Sequence, residues 1–107
     1  MTNPAGRRFE NRVIEYMQEV FPGMDRAVKH GRFDKGEFTN TKDWTFECKN
    51  QREIRLSEAL VQAEIERLHN QTPWCAAIIN RRNHPLGKSY VVMTLEQFRA
   101  LLRDDDG

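Results

Sequence analysis

Six residues, Trp44-Thr45-Phe46-Glu47-Cys48-Lys49, limit what this chain can fold into more than any other stretch. Side chains alternate along a strand, so Trp44, Phe46 and Cys48 share one face while Thr45, Glu47 and Lys49 share the other. The first face needs an apolar layer over it. The second carries a carboxylate and an ammonium two positions apart, and burying either charge costs several kcal/mol unless it is paired or bound to a metal. Two readings stay open. In one, an edge strand leaves its second face wet, and Glu47 and Lys49 are ordinary surface residues. In the other, Glu47 ligates a metal beside a lysine that positions or deprotonates an attacking water.

The rest of the chain supplies the layers such a strand needs. From Arg7 to Phe21 the apolar residues Phe9, Val13, Tyr16, Met17, Val20 and Phe21 recur at helical spacing until Pro22-Gly23. Short strands are predicted over Arg26 to Arg32 and Gly36 to Thr39, ahead of Trp44 to Lys49. Ser57 is placed to cap a second helix reaching Asn70, with Leu60, Val61, Ile65 and Leu68 inward. Trp74 to Ile79 and Tyr90 to Met93 are short, β-branched runs joined by a turn-rich segment, and so predict a hairpin-like pair. Thr94, with Gln97 three residues on, is a capping box opening a third helix, whose inner residues would be Leu95, Phe98 and Leu102. The predicted fold class is α/β, a central mixed sheet flanked by helices in the order α-β-β-β-α-β-β-α. The length of 107 residues suits one such domain, over residues 1–103, with 104–107 as an acidic disordered tail.

No apolar run approaches the roughly 20 residues that a membrane span needs. Residues 1–8 lack the apolar centre of a secretory signal, so a cytoplasmic chain is expected. Two cysteines, Cys48 and Cys75, are too few for a disulfide framework, and each lies in an apolar strand-like run where a buried thiol is expected. Seventeen Lys and Arg against sixteen Asp and Glu give a net charge of +1. Asp104, Asp105 and Asp106 hide a distinctly basic body, with clusters at Arg7-Arg8, Lys29 to Lys35 and Arg81-Arg82. Such a body suits either a solvated, charge-mixed surface or a polyanionic partner.

Further carboxylates accompany Glu47. Ten residues before it, Glu37 in Gly36-Glu37-Phe38 lies on the preceding short strand, and a tight return brings both to one end of the sheet. Two carboxylates suffice for Mg²⁺, a hard ion that prefers oxygen ligands and leaves positions for a substrate phosphate. Glu10 falls on a helical wheel between Met17 and Phe21, inside the apolar stripe, and should point inward. It is either an assisting acid or a stripe-edge carboxylate paired with a basic residue such as Lys49. Gln62 and Glu64, on different sides of the second helix, are accessory candidates for a site above the third strand.

A helix carrying Glu, then Gly-Asp/Glu in a hairpin, then a strand ending in Glu-x-Lys, then a helix, resembles the PD-(D/E)XK nucleases. The segments from His30 to Phe38 and from Phe46 to Asn50, with Gln62-Ala63-Glu64-Ile65-Glu66 and Tyr90-Val91-Val92-Met93-Thr94-Leu95, are similar to small phage-encoded and archaeal-type Holliday junction resolvases. The resemblance covers most of the chain. It implies a restriction-endonuclease-like fold, with Glu37 and Glu47 as ligands of Mg²⁺ or Mn²⁺, Lys49 as the catalytic lysine and Glu10 as the helix acid. The pattern usually has Asp where this chain has Glu37, a methylene longer, and Asp34 is the runner-up for that role. It further implies metal-dependent cutting of branched or duplex DNA, a homodimer, and a bacterial host cytoplasm for a phage-encoded chain. A rival reading keeps the fold as a module that binds DNA structures or a host protein after the acidic site has decayed.

Contacts to DNA would rest on phosphates, for which Arg7, Arg8, Lys29, Arg32, Lys35, Arg52, Arg81 and Arg82 are the candidates. Trp74 and the strand after it are open to a self-complementary patch or to a plain core role. Other chemistries have less behind them. His30, His69 and His84 lack the paired spacing of zinc ligands, no triad accompanies Cys48, and no glycine-rich phosphate loop follows a strand.

Overall fold

The structure is a computed structural model that describes residues 4–27 and 38–105. Helix α1 spans Pro4–Met17 and strand β1 spans Asp25–Arg26, followed by β2 at Phe38–Thr39 and β3 at Trp44–Lys49. Helix α2 covers Leu56–Asn70, β4 covers Trp74–Ile79, β5 covers Tyr90–Val92 and α3 covers Leu95–Asp105, with a 3₁₀ turn at Leu86–Lys88. The predicted element order is therefore present. The outer parts of the first two predicted strands, with Lys29, Arg32, Asp34, Lys35 and Glu37, lie outside the described residues.

Among the described residues the strands form two sheets rather than one central sheet. β1 and β2 make an antiparallel ribbon, while β3, β4 and β5 make a mixed sheet in that order. β3 and β4 are parallel, from Trp44 opposite Trp74 to Lys49 opposite Ile79, and α2 is the crossover that parallel neighbours require. β5 returns antiparallel, with Ala77 opposite Val92, as the hairpin-like pattern predicts.

Each face of the mixed sheet has its own core. On one, Phe9, Val13 and Ile14 of α1 bury against Phe46, Cys48, Ala76 and Ile78, with Met24 and Phe38 closing the cluster. The α1 pattern works because residues three and four apart share a helix face. The helix stops at Met17, earlier than Phe21, where the Val20 amide closes a tighter three-residue turn on the Met17 carbonyl ahead of Pro22-Gly23. On the other face, Ala59 of α2 packs with Ala77 and Ile79. Both cysteines are buried and free of disulfides. Trp74 lies beside Trp44, ring centroids 6.4 Å apart, and Cys75 to Ile79 are buried between two strands, so this stretch takes the core role and offers no self-complementary patch.

Three helix expectations need correction. α2 begins at Leu56 after Arg55, with no side-chain cap, and Ser57 sits inside it. Its inner residues are Ala59, Ala63 and Glu66; Val61, Ile65 and Leu68 are exposed. Small alanines let the helix lie close to the sheet, and that closeness turns the bulkier stripe outward. For α3, the Thr94 hydroxyl does cap the helix, accepting from the Gln97 amide at 3.1 Å. Leu95, Phe98 and Leu102 nonetheless face outward, because the Gln97 side chain accepts from the Cys75 amide at 2.9 Å and turns that flank to β4. α3 also continues through Asp105, two residues into the predicted tail.

Candidate functional site

β3 carries its charges where the alternation places them, but that face is not wet. Glu47 is only 5% exposed and Thr45 is equally buried, because α2 lies over both. Thr45 shows how this layer is held. Its hydroxyl bonds that of Thr72 at 2.8 Å and accepts from the Asn70 amide at 3.0 Å. One strand pair further on, Lys49 Nζ lies 3.1 Å from Glu47 Oε1, with the lysine side chain about a quarter exposed. The pair thus runs from the interior to the surface at the end of β3.

The second carboxylate oxygen, Glu47 Oε2, is buried and has no hydrogen-bond partner among the described residues. A buried acceptor without a donor costs about 1–3 kcal/mol, more for a charged group. A cation or a bound water directed at Oε2 would relieve that cost. The donor is a hard oxygen, suited to Mg²⁺ or Mn²⁺, which usually take only one or two protein carboxylates. Among the described residues no group of three His, Cys, Asp or Glu gathers around a common point. Glu47 is the one described member of the predicted ligand pair, since Glu37 and its runner-up Asp34 fall outside the described residues.

A residue that sequence reasoning missed lies across from this pair. Glu66 is only 1% exposed, on the inner face of α2, and accepts from Gln62 Nε2 at 3.1 Å. α2 runs antiparallel to β3, and Asn70 touches Thr45. One helical turn back from Asn70 is Glu66, a step of about 6 Å, and two residues along β3 from Thr45 is Glu47, a similar step. Glu66 is therefore level with Glu47 beneath α2. The signal was present in the sequence, because Ala59, Ala63 and Glu66 share one helix face.

The other predicted residues divide. Glu10 points inward as expected, 5% exposed, but its partner is Arg26 Nη1 rather than Lys49. Arg26 also donates to the Arg7 carbonyl at 3.3 Å and to the Asn11 side chain. Glu10 sits on α1, which packs on the Phe46 and Cys48 face of β3, whereas Glu47 and Lys49 project from the opposite face. Gln62 is on the Glu66 side of α2. Glu64 turns instead toward β4, where Arg67 Nε donates to it at 3.1 Å and the Cys75 thiol at 3.4 Å. The Arg67 hydrogen bond holds the Glu64 carboxyl below its ordinary range, while burial pushes the Cys75 thiol up to about 12.

Three segments meet at the end of β3. The Asn80 amide donates to the Lys49 carbonyl at 3.0 Å, and the Asn80 side chain to Asn50 Oδ1 at 2.7 Å. Asn50 in turn donates to the Ala5 carbonyl at 3.1 Å, tying the start of α1 to the same place. Arg82 reaches the Asn50 carbonyl at 3.4 Å, and Arg81 lies 5.0 Å from the Tyr90 ring centroid. Arg7 and Arg8 are exposed on the first turns of α1. Four of the predicted phosphate contacts thus lie on segments that converge beside Lys49; Arg52 is exposed just beyond Asn50.

No helix among the described residues is long and apolar enough to cross a membrane. Comparison of the chain with protein-family models, with curated proteins and with solved structures gave no match.

Proposed function

We propose that this chain is a metal-dependent DNA endonuclease of the PD-(D/E)XK type, acting on branched DNA as a Holliday junction resolvase. The observation that carries the reading is Glu47: a buried carboxylate with one oxygen on Lys49 and the other without a donor, at the strand end where Arg82 reaches the Asn50 carbonyl. A buried carboxylate oxygen without a donor calls for a partner, and a bound cation is one that also fits the neighbouring lysine.

A divalent cation, when bound, polarises a phosphoryl oxygen and brings the pKa of a coordinated water toward neutrality. Glu47 would hold it through Oε2, with Glu37 as the second ligand. Lys49, bridging interior and surface, presents its ammonium where a scissile phosphate arrives and stabilises the charge that develops there. It also orients the attacking water. Glu66, held by Gln62, keeps the layer under α2 polar and fixes the side on which Lys49 emerges. Arg7, Arg8, Arg81 and Arg82 contact phosphates on either side of the cut, which suits recognition by backbone spacing rather than by base sequence. Two symmetric cuts across a junction call for two copies of the chain.

The test is incubation of the purified chain with a labelled immobile four-way junction, linear duplex and single strand, in Mg²⁺, Mn²⁺ or EDTA. Paired, metal-dependent cuts in the junction, lost in Glu47→Ala and Lys49→Ala, are expected. Metal-dependent cutting of every substrate would keep the site and discard the junction preference. Binding without cutting would make the decayed DNA-binding module the better account.

A further inference from the structure

The connection from β4 to β5 carries Arg81, Arg82, His84 and Lys88 between Asn80 and Tyr90, with no Asp or Glu. Neither arginine takes part in an ion pair among the described residues. Each is nevertheless held, and by groups that carry no negative charge. Arg82 donates to the Asn50 carbonyl at 3.4 Å. Arg81 Nη2 lies 3.1 Å from His84 Nε2, and its guanidinium stands 5.0 Å from the centre of the Tyr90 ring. The backbone brings His84 into place. Asn83 takes a left-handed φ of 66°, which asparagine tolerates, and the His84 amide closes the turn on the Arg81 carbonyl at 3.2 Å.

These contacts fix where the imidazole keeps its proton. A guanidinium only donates, so His84 Nε2 accepts from Arg81. A carbonyl only accepts, so Nδ1, 3.0 Å from the Arg82 oxygen, carries the hydrogen. The ring is therefore neutral, and it ties down two successive arginines, one by side chain and the other by backbone. A carboxylate in its place would order Arg81 but also cancel its charge. With an imidazole nitrogen and an aromatic face instead, Arg81 is oriented while its charge and its remaining N–H groups stay available to an anion. We propose that the β4–β5 turn is a preorganised phosphodiester-binding site, in which Arg81 takes a backbone phosphate and His84 positions Arg81. The planar fork of a guanidinium matches two phosphate oxygens, and ordering it beforehand lowers the entropy lost on binding. The identity of the ligand rests on the nuclease reading, and the role of His84 rests on the geometry of the turn.

The test is an anisotropy titration of a labelled four-way junction with the full chain in EDTA, which reads binding without cutting, with a thermal melt of every variant. Arg81→Ala should weaken binding about tenfold and His84→Ala about fivefold, at unchanged melting temperature because His84 is exposed. His84→Gln keeps an oxygen that can accept from Arg81, and should bind within about twofold of the unaltered chain. His84→Lys adds a cation but removes the acceptor, and should still bind more weakly than the unaltered chain. In an Arg81→Ala background, His84→Ala should change nothing further. Equal or tighter binding by His84→Lys, no rescue by His84→Gln, a full His84→Ala effect without Arg81, or a chain that binds no junction would each overturn the proposal. Cutting by the same proteins in Mg²⁺ separates the two readings. The expected binding pattern without cutting discards the nuclease and keeps the site, whereas cutting with junction affinity unmoved by Arg81→Ala and His84→Ala does the reverse.

Discussion

The two faces of β3 are made from one strand and built for different ends. On the α1 side, Phe46 and Cys48 meet Phe9, Val13 and Ile14, and large apolar side chains fill the space between helix and sheet. On the α2 side, Thr45, Glu47 and Lys49 meet a helix whose inner residues are two alanines and a glutamate. The first face gains from hydrophobic burial. The second brings two carboxylates under a helix and leaves a buried oxygen without a donor, which stabilises nothing by itself. The first face stabilises the fold; the second holds the residues on which the proposed chemistry rests.

The sharpest way to break that contrast is a pair of substitutions two residues apart. On the proposed nuclease reading Glu47→Gln should lower cutting by about 1000-fold or more while costing less stability than a core truncation, because Gln keeps its volume and an oxygen for Lys49 Nζ. Phe46→Ala should do the opposite in kind, costing about 3–5 kcal/mol in a denaturant titration. If Glu47→Gln destabilised the chain as much as Phe46→Ala, the α2 face would be structural after all.

A third prediction concerns the buried thiol at the margin of the α2 face. Burial raises Cys75 from its ordinary 9.0 to about 12. Between those values the unfolded chain gives up the proton and the folded chain keeps it, so stability falls as pH rises above about 9. Cys75→Ala should remove that part of the alkaline loss, seen as a shallower fall of melting temperature with pH than in the unaltered chain. The smallest effect is expected at Glu64, which is nearly half exposed. Its lowered carboxyl adds stability at neutral pH that is lost as pH falls through its folded value. Water screens that contribution, so Glu64→Gln should cost about 0.5 kcal/mol or less at pH 7 and nothing in strong acid.

How much of this could be read from the sequence depended on what each pattern encodes. The alternation in β3 is local, so the two faces, and Glu47 and Lys49 on the same one, were legible; their ion pair was not, since Lys49 was equally open to Glu10. So was the Thr94 cap, which spans three residues. The orientation of α2 was not, because the helix has two stripes and bulk favours the wrong one: Val61, Ile65 and Leu68 outweigh Ala59, Ala63 and Glu66. Periodicity shows that a stripe exists, not which surface covers it, and α3 shows the same ambiguity. The partner of Glu10 escaped for another reason. Arg26 is 16 residues away, and only the turn after α1 brings it back.

Glu47 Oε2 is the atom on which the proposed chemistry turns, as a ligand for a divalent cation. Calorimetric titration of the purified chain with Mn²⁺, beside Glu47→Gln of matched melting temperature, measures this without a DNA substrate. Saturable binding by the unaltered chain that is lost in Glu47→Gln is the predicted result. Identical heats from both proteins, whether binding or none, would contradict it.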